Sequence, residues 1–178
     1  METLMKLSHY LVKAVEVILG LLVLFIFVLI FGNVIARYVF QQSIVWSEEV
    51  TRFLFIWAVF LGSSVGVKRG AHFHVNLLAS SLPVSARKFF DYLIAFVVFS
   101  FSLVIISQGG KLSAVTMLQT SPVLGIPMGY IYVALPTTGL LNIFFLMTNF
   151  AQQRQEERQK AQSGVKQAEA DLSGKGGI

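Results

Sequence analysis

Glu48, Glu49 and Arg52 are the densest group of charges beside an apolar stretch in this 178-residue chain. Arg52 stands four residues from Glu48 and three from Glu49, the spacings at which helical side chains meet. Two carboxylates and a guanidinium at a membrane edge serve one of two ends. They dock a partner or line an ion path, or they pair among themselves in an interfacial belt with Trp46 as its aromatic anchor. Charge at a bilayer centre costs about 2.5–3.5 kcal/mol on insertion scales, and less near the interface. Asn33 and Arg37, four residues apart, share a helical face. Arg37 can snorkel to the interface, while Asn33 needs a partner in the bundle or across to another protein. Glu16 reads as an interfacial charge. His72 and His74 lie in Lys68-Arg-Gly-Ala-His-Phe-His-Val-Asn76, read as a polar loop. On a strand the two would share a face, but a third ligand at suitable spacing is missing, and His9 is remote in sequence. No metal, cofactor or catalytic residue is expected.

The elements that carry these groups are apolar. Residues 17–36 form an uncharged run of 20, with Asn33 its one polar side chain. At ~1.5 Å per helical residue that run matches the ~30 Å hydrocarbon core of a bilayer. It is too long for a signal peptide's apolar region. The fold class expected is all-α, an integral membrane protein with four transmembrane helices at about 14–36, 46–67, 90–110 and 128–150. Helix two has an uncharged part of only 15 residues, 53–67, about 22 Å and too short to span. It must extend back through Trp46. Trp46, Val50, Phe53, Leu54 and Trp57 fall on one helical face. Segment 44–52 is therefore the entry turn of helix two or an amphipathic interfacial segment before it. Ser47 stands as a cap, with two acids in the first turn. Pro122, Gly125 and Pro127 break the uncharged stretch after Lys111, so residues 112–127 read as a connection. Pro136 should kink helix four. Residues 151–178 form a polar cytoplasmic tail that begins helical and ends partly disordered. Gly62 and Gly66, with Ser63, permit close helix approach.

Composition narrows the function. Only 13% of residues are charged and 55% are hydrophobic, which leaves no room for a separate soluble domain. The chain has no cysteine. The net charge of +5 reflects basic residues that flank the apolar runs, so no nucleic-acid partner is expected. Four spans put both termini on one side, which then holds eleven of the 14 Lys and Arg residues. The other side holds Arg37, Arg52 and Lys111. By the positive-inside rule both termini are cytoplasmic. No phosphate loop, nucleophile triad, intramembrane proton relay or pair of broken half-helices is present. The residues describe an accessory or scaffolding membrane protein.

Arg37, Trp46-Ser47-Glu48-Glu49-Val50-Thr51-Arg52, Trp57, Phe60-Leu61-Gly62 and Lys68-Arg69-Gly70-Ala71-His72 follow one another in a familiar order. So does Ser121-Pro122-Val123-Leu124-Gly125-Ile126-Pro127-Met128, with Tyr132, Ala134, Leu135 and Pro136 after it. Together they resemble the small membrane subunit of TRAP (tripartite ATP-independent periplasmic) transporters, the DctQ-like family. The resemblance covers residues 15–150. It implies a bacterial inner-membrane subunit that pairs as a heterodimer with a large membrane subunit. A periplasmic substrate-binding protein would deliver a C4-dicarboxylate, sialic acid or another carboxylate, and a sodium gradient would drive its import. The small subunit would be a fixed support that binds no substrate. Asn33, Arg37, Trp46, Glu48, Glu49, Arg52, Trp57, Gly62 and Gly66 are then the expected contacts with the partner or with phospholipids. The rival readings are a haem-binding, cytochrome-like membrane anchor, a four-helix cation exporter and a stand-alone structural membrane protein. The first needs facing histidines within spans, and the second needs acids there.

Overall fold

With no water in a bilayer core, each backbone amide must be satisfied within its own segment, and helices do this. The computed structural model accordingly consists of helices joined by short connections. It describes residues 2–77 and 84–175, with side chains at 5–70, 92–155 and 163. The helices are α1 (Glu2–Val39), α2 (Val45–Leu77), α3 (Val84–Thr116), α4 (Gly129–Tyr132) and α5 (Ala134–Lys175). Four stretches are long and apolar enough to cross a membrane: Met5–Val39, Val45–Gly70, Tyr92–Thr116 and Gly129–Gln155. The all-α class and the four membrane-crossing helices are as the sequence implied.

The helices run further than the apolar lengths that a bilayer selects. Hydropathy marks where lipid ends, whereas a helix continues until a breaker stops it. Residues 2–38 contain no proline, and α1 ends where Gln41 takes a left-handed φ of 55°. There the Gln42 N–H turns back to the Ala36 carbonyl at 3.1 Å. α2 is one helix from Val45, so segment 45–52 is its first turns and not a separate piece before the span. It continues through the stretch read as a histidine loop. His72 and His74 thus lie on helical backbone, two residues apart and on different faces. Their side chains lie outside the described residues. α5 carries on through the polar tail to Lys175, further than the tail's composition suggested.

The fourth span is interrupted where proline chemistry requires it. Pro136 lacks an N–H and its ring crowds the carbonyl four residues earlier. That residue is Tyr132, the last of α4. The break falls at Val133, whose own N–H still reaches the Gly129 carbonyl at 3.0 Å.

α1 packs on α2, α2 on α5 and α5 on α3, which sets the spans in a row with α1 and α3 at its ends. α5 is the central element. The most apolar stretch of the span that it forms with α4, Gly129–Gln155, is 39% buried, against 11% for that of the first span. Val15, Leu61 and Val65 form a small core, joined by Leu19, Leu22, Trp57 and Leu141. Phe145 is wholly enclosed. Phe25, Phe31, Phe96 and Phe101 point outward, as lipid-facing side chains do. Several hydroxyls inside the spans bond back within their own span. Ser102, Thr116 and Thr137 each donate to the carbonyl four residues earlier at 2.7–2.8 Å.

Candidate functional site

The turn between α1 and α2 is closed by side chains predicted from the sequence to act at a membrane edge. Arg37 on α1 forms an ion pair with Glu48 on α2. Asn33, one turn earlier, donates to the same Glu48 Oε1 at 3.2 Å. Its own Oδ1 accepts the Ile44 N–H at 2.9 Å, which satisfies an orphan amide where α2 begins. Ser47 was expected to cap α2. It stands inside the first turn instead, and its hydroxyl donates to the Ile44 carbonyl at 2.7 Å.

Glu49 turns the other way and is only 6% exposed. Its Oε2 accepts the backbone N–H groups of Val123 at 3.2 Å and Leu124 at 2.8 Å. These amides sit at the tip of a hairpin-like connection between α3 and α4. Thr120 and Pro127 pair across it, Met128 N–H reaches the Gln119 carbonyl, and Gly125 adopts a φ of 68° that favours glycine. Glu48 thus fastens α1 to α2, and Glu49 fastens the α3–α4 connection to α2.

Both acids are therefore taken from the partner proposed for them by spacing. Arg52 is exposed and makes no hydrogen bond or ion pair among the described residues. The self-paired belt of Glu48, Glu49 and Arg52 is not formed. Trp46 is half exposed on the first turn of α2. Trp57 packs against the Val15, Leu61 and Val65 core. Gly62 and Gly66 lie on α2 with open space where a side chain would start.

A second polar cluster occupies the opposite end of the spans, and the sequence did not single it out. Lys68 is 9% exposed and donates to Thr148 Oγ1 and Gln152 Oε1, each at 3.1 Å. Thr148 donates to the Phe145 carbonyl and lies 3.2 Å from the Ser8 hydroxyl. Asn149 donates to the Val67 and Lys68 carbonyls. α1, α2 and α5 are clasped together there. The available signal was a lysine closing the apolar part of helix two, level with Thr148 and Asn149 at the end of helix four. Beside this cluster Arg69 grips Glu16 through two nitrogens at 3.0 and 2.7 Å.

The two ion pairs carry a length. Glu16 and Arg37 are 21 residues apart on α1, and so are their partners Arg69 and Glu48 on α2. At ~1.5 Å per residue that is about 31 Å, the thickness of a hydrocarbon core. The pairs bracket the apolar slab at its two edges.

This arrangement fastens helices together and leaves the outer faces apolar. The model of the DctQ component of tripartite ATP-independent periplasmic transporters matches residues 26–156. A putative TRAP transporter small permease protein of Haemophilus influenzae is 28% identical over 143 residues, 80% of this chain and 89% of that protein. The C4-dicarboxylate TRAP transporter small permease protein DctQ of Vibrio cholerae is 38% identical over 78 residues, 44% of this chain and 34% of that protein. The sialic acid TRAP transporter permease protein SiaT of Haemophilus influenzae is 29% identical over 135 residues, 76% of this chain but 22% of that longer protein. The chain belongs to the DctQ family, as a multi-pass small permease subunit of a TRAP transporter in the bacterial inner membrane, a transport protein and not an enzyme.

Proposed function

We propose that this subunit binds no substrate and serves as the stationary support of a heterodimer with a large membrane subunit. The complex would import an organic acid delivered by a periplasmic binding protein and driven by a sodium gradient. Both termini would face the cytoplasm, with the Arg37–Glu48 pair at the periplasmic edge.

One observation carries this reading. Among the residues whose side chains are described the acids are Glu16, Glu48 and Glu49, and all three are engaged within the chain. None is left over to ligate a cation or relay a proton across the spans. Relatives named for C4-dicarboxylate and sialic acid suggest a carboxylate cargo. The distribution of Lys and Arg supports the orientation.

Affinity purification of the chain from its native membrane in mild detergent, with mass spectrometry of what accompanies it, tests the reading. Stoichiometric recovery of one larger polytopic protein is expected. Recovery of this chain alone across several detergents would overturn the heterodimer.

A further inference from the structure

The glycines of the spans are of two kinds. A Cβ added at Gly109, Gly129 or Gly139 would stand 2.5–2.7 Å from atoms of a neighbouring helix. Those glycines let α3 approach the fourth span. Gly62, Gly66 and Gly70 on α2 recur every four residues and so share a face. A Cβ at any of them meets nothing within 4 Å. Nothing described in this chain requires glycine at these three positions, although each weakens a helix relative to alanine.

Ser63, Gly66 and Gly70 form one wall of a groove of about 320 Å³. Ile94 and Val98 of α3 form the other wall, and α5 lies beneath with Leu146 and Asn149. α2 and α3 both pack on α5, and among the described residues no comparable contact closes the space between them. Asn149 is 5% exposed, and its Oδ1 is buried with no hydrogen-bond partner while its Nδ2 is fully used on α2. A buried acceptor of this kind calls for a donor.

We infer that this groove seats one membrane-spanning helix of the larger permease subunit, drawn close by Gly66 and Gly70 and offering a side-chain donor to Asn149. The inference rests on the heterodimer proposed above. An acyl chain has no donor to give and no need of glycine in place of alanine. A helix needs the small residues, because its backbone gains from close van der Waals approach where lipid leaves little hydrophobic gain. A second copy of this chain fits less well. In the sialic acid TRAP transporter permease protein the matching segment is 22% of one longer polypeptide, so there a segment like this chain is joined covalently to a larger permease chain.

The test is co-expression of this chain with the large subunit, comparing wild type with Gly66→Leu and Gly70→Leu. The Cβ of each new side chain meets nothing within 4 Å in its own chain and the rest of the leucine enters the groove, so thermal unfolding of the isolated subunit should match wild type. Recovery of the large subunit should fall about tenfold or more. Failure of wild type to recover any larger subunit would overturn the heterodimer itself. Full recovery by both variants, with wild type also positive, would overturn the groove as its seat. A Ser63→Cys variant that cross-links into a product of twice this chain's mass would assign the groove to a second copy. Loss of co-purifying phospholipid with the large subunit retained would assign it to lipid.

Discussion

Glu49 reaches 75 residues along the chain to take the Leu124 N–H at 2.8 Å, and the same oxygen takes the neighbouring Val123 N–H. A carboxylate is suited to this place because one oxygen can accept two amides and its charge strengthens both bonds. Glu49→Ala would leave two turn amides without an acceptor and should destabilise the subunit by roughly 2–3 kcal/mol. Glu49→Gln keeps one acceptor oxygen and should cost about half as much. Thermal unfolding in detergent gives the order, and limited proteolysis should cut the Glu49→Ala protein within residues 117–128. An alanine variant with wild-type melting and protease resistance would refute the clasp.

Arg37 and Glu48 are each about half exposed, so their pair is worth little by itself. Exposed ion pairs contribute about 0.2–1 kcal/mol. Arg37→Glu and Glu48→Arg should each weaken the α1–α2 turn by about that amount, and the double exchange should recover part of the loss. A double-mutant cycle measures this. Additive losses would mean that the contact has no energetic weight.

The four spans were legible because bilayer thickness acts on each segment separately, and uncharged runs near residues 17–36 and 92–110 report it directly. Pro136 was legible for the same reason, since its effect on Tyr132 is local. The partners of Glu48 and Glu49 were not. Arg52 satisfies the helical spacing to both, and a linear chain offers no reason to prefer Arg37 across a turn or two amides some 75 residues away. The Lys68–Thr148–Ser8 cluster was hidden by the same distance. Its members are ordinary polar residues until α5 is placed between α2 and α3.

Arg52 is the exposed guanidinium left over by these pairings. Arg52→Glu should leave thermal unfolding unchanged, because no internal contact is lost. If this side chain meets the partner or lipid headgroups, substrate uptake in membrane vesicles should fall several-fold. The periplasmic binding protein's affinity for its substrate should stay as it was. Full uptake by the variant would remove Arg52 from the interface.

Gly139 faces α3, where an added Cβ would lie 2.6 Å from Ile106 Cγ1 and 3.0 Å from the Ser102 carbonyl. The carbonyl cannot move without disturbing its helix. Gly139→Ala should therefore destabilise by about 1–3 kcal/mol, the usual cost of overpacking. Gly66→Ala, with open space around it, should be neutral or stabilise the isolated subunit by about 0.5 kcal/mol. Equal melting shifts for the two would contradict the difference in packing.

Among the described side chains Lys68 is held by neutral oxygens alone, with no carboxylate of theirs within ion-pair reach. Removing its charge and removing its acceptor should then have opposite consequences. Lys68→Met replaces a desolvated ammonium by an apolar chain of similar length, and should leave stability unchanged or raise it. Thr148 keeps its bonds to Phe145 and Ser8 in that variant. Thr148→Val keeps the shape but strips Lys68 of one of two acceptors and Ser8 of its partner, so it should cost roughly 1–3 kcal/mol. The double variant should sit near Lys68→Met, because the stranded ammonium is gone. Unfolding of the three proteins in one detergent decides the matter. A Lys68→Met protein less stable than Thr148→Val would show that the ammonium itself stabilises the clasp, and would place an anionic group beside it that the described residues do not supply.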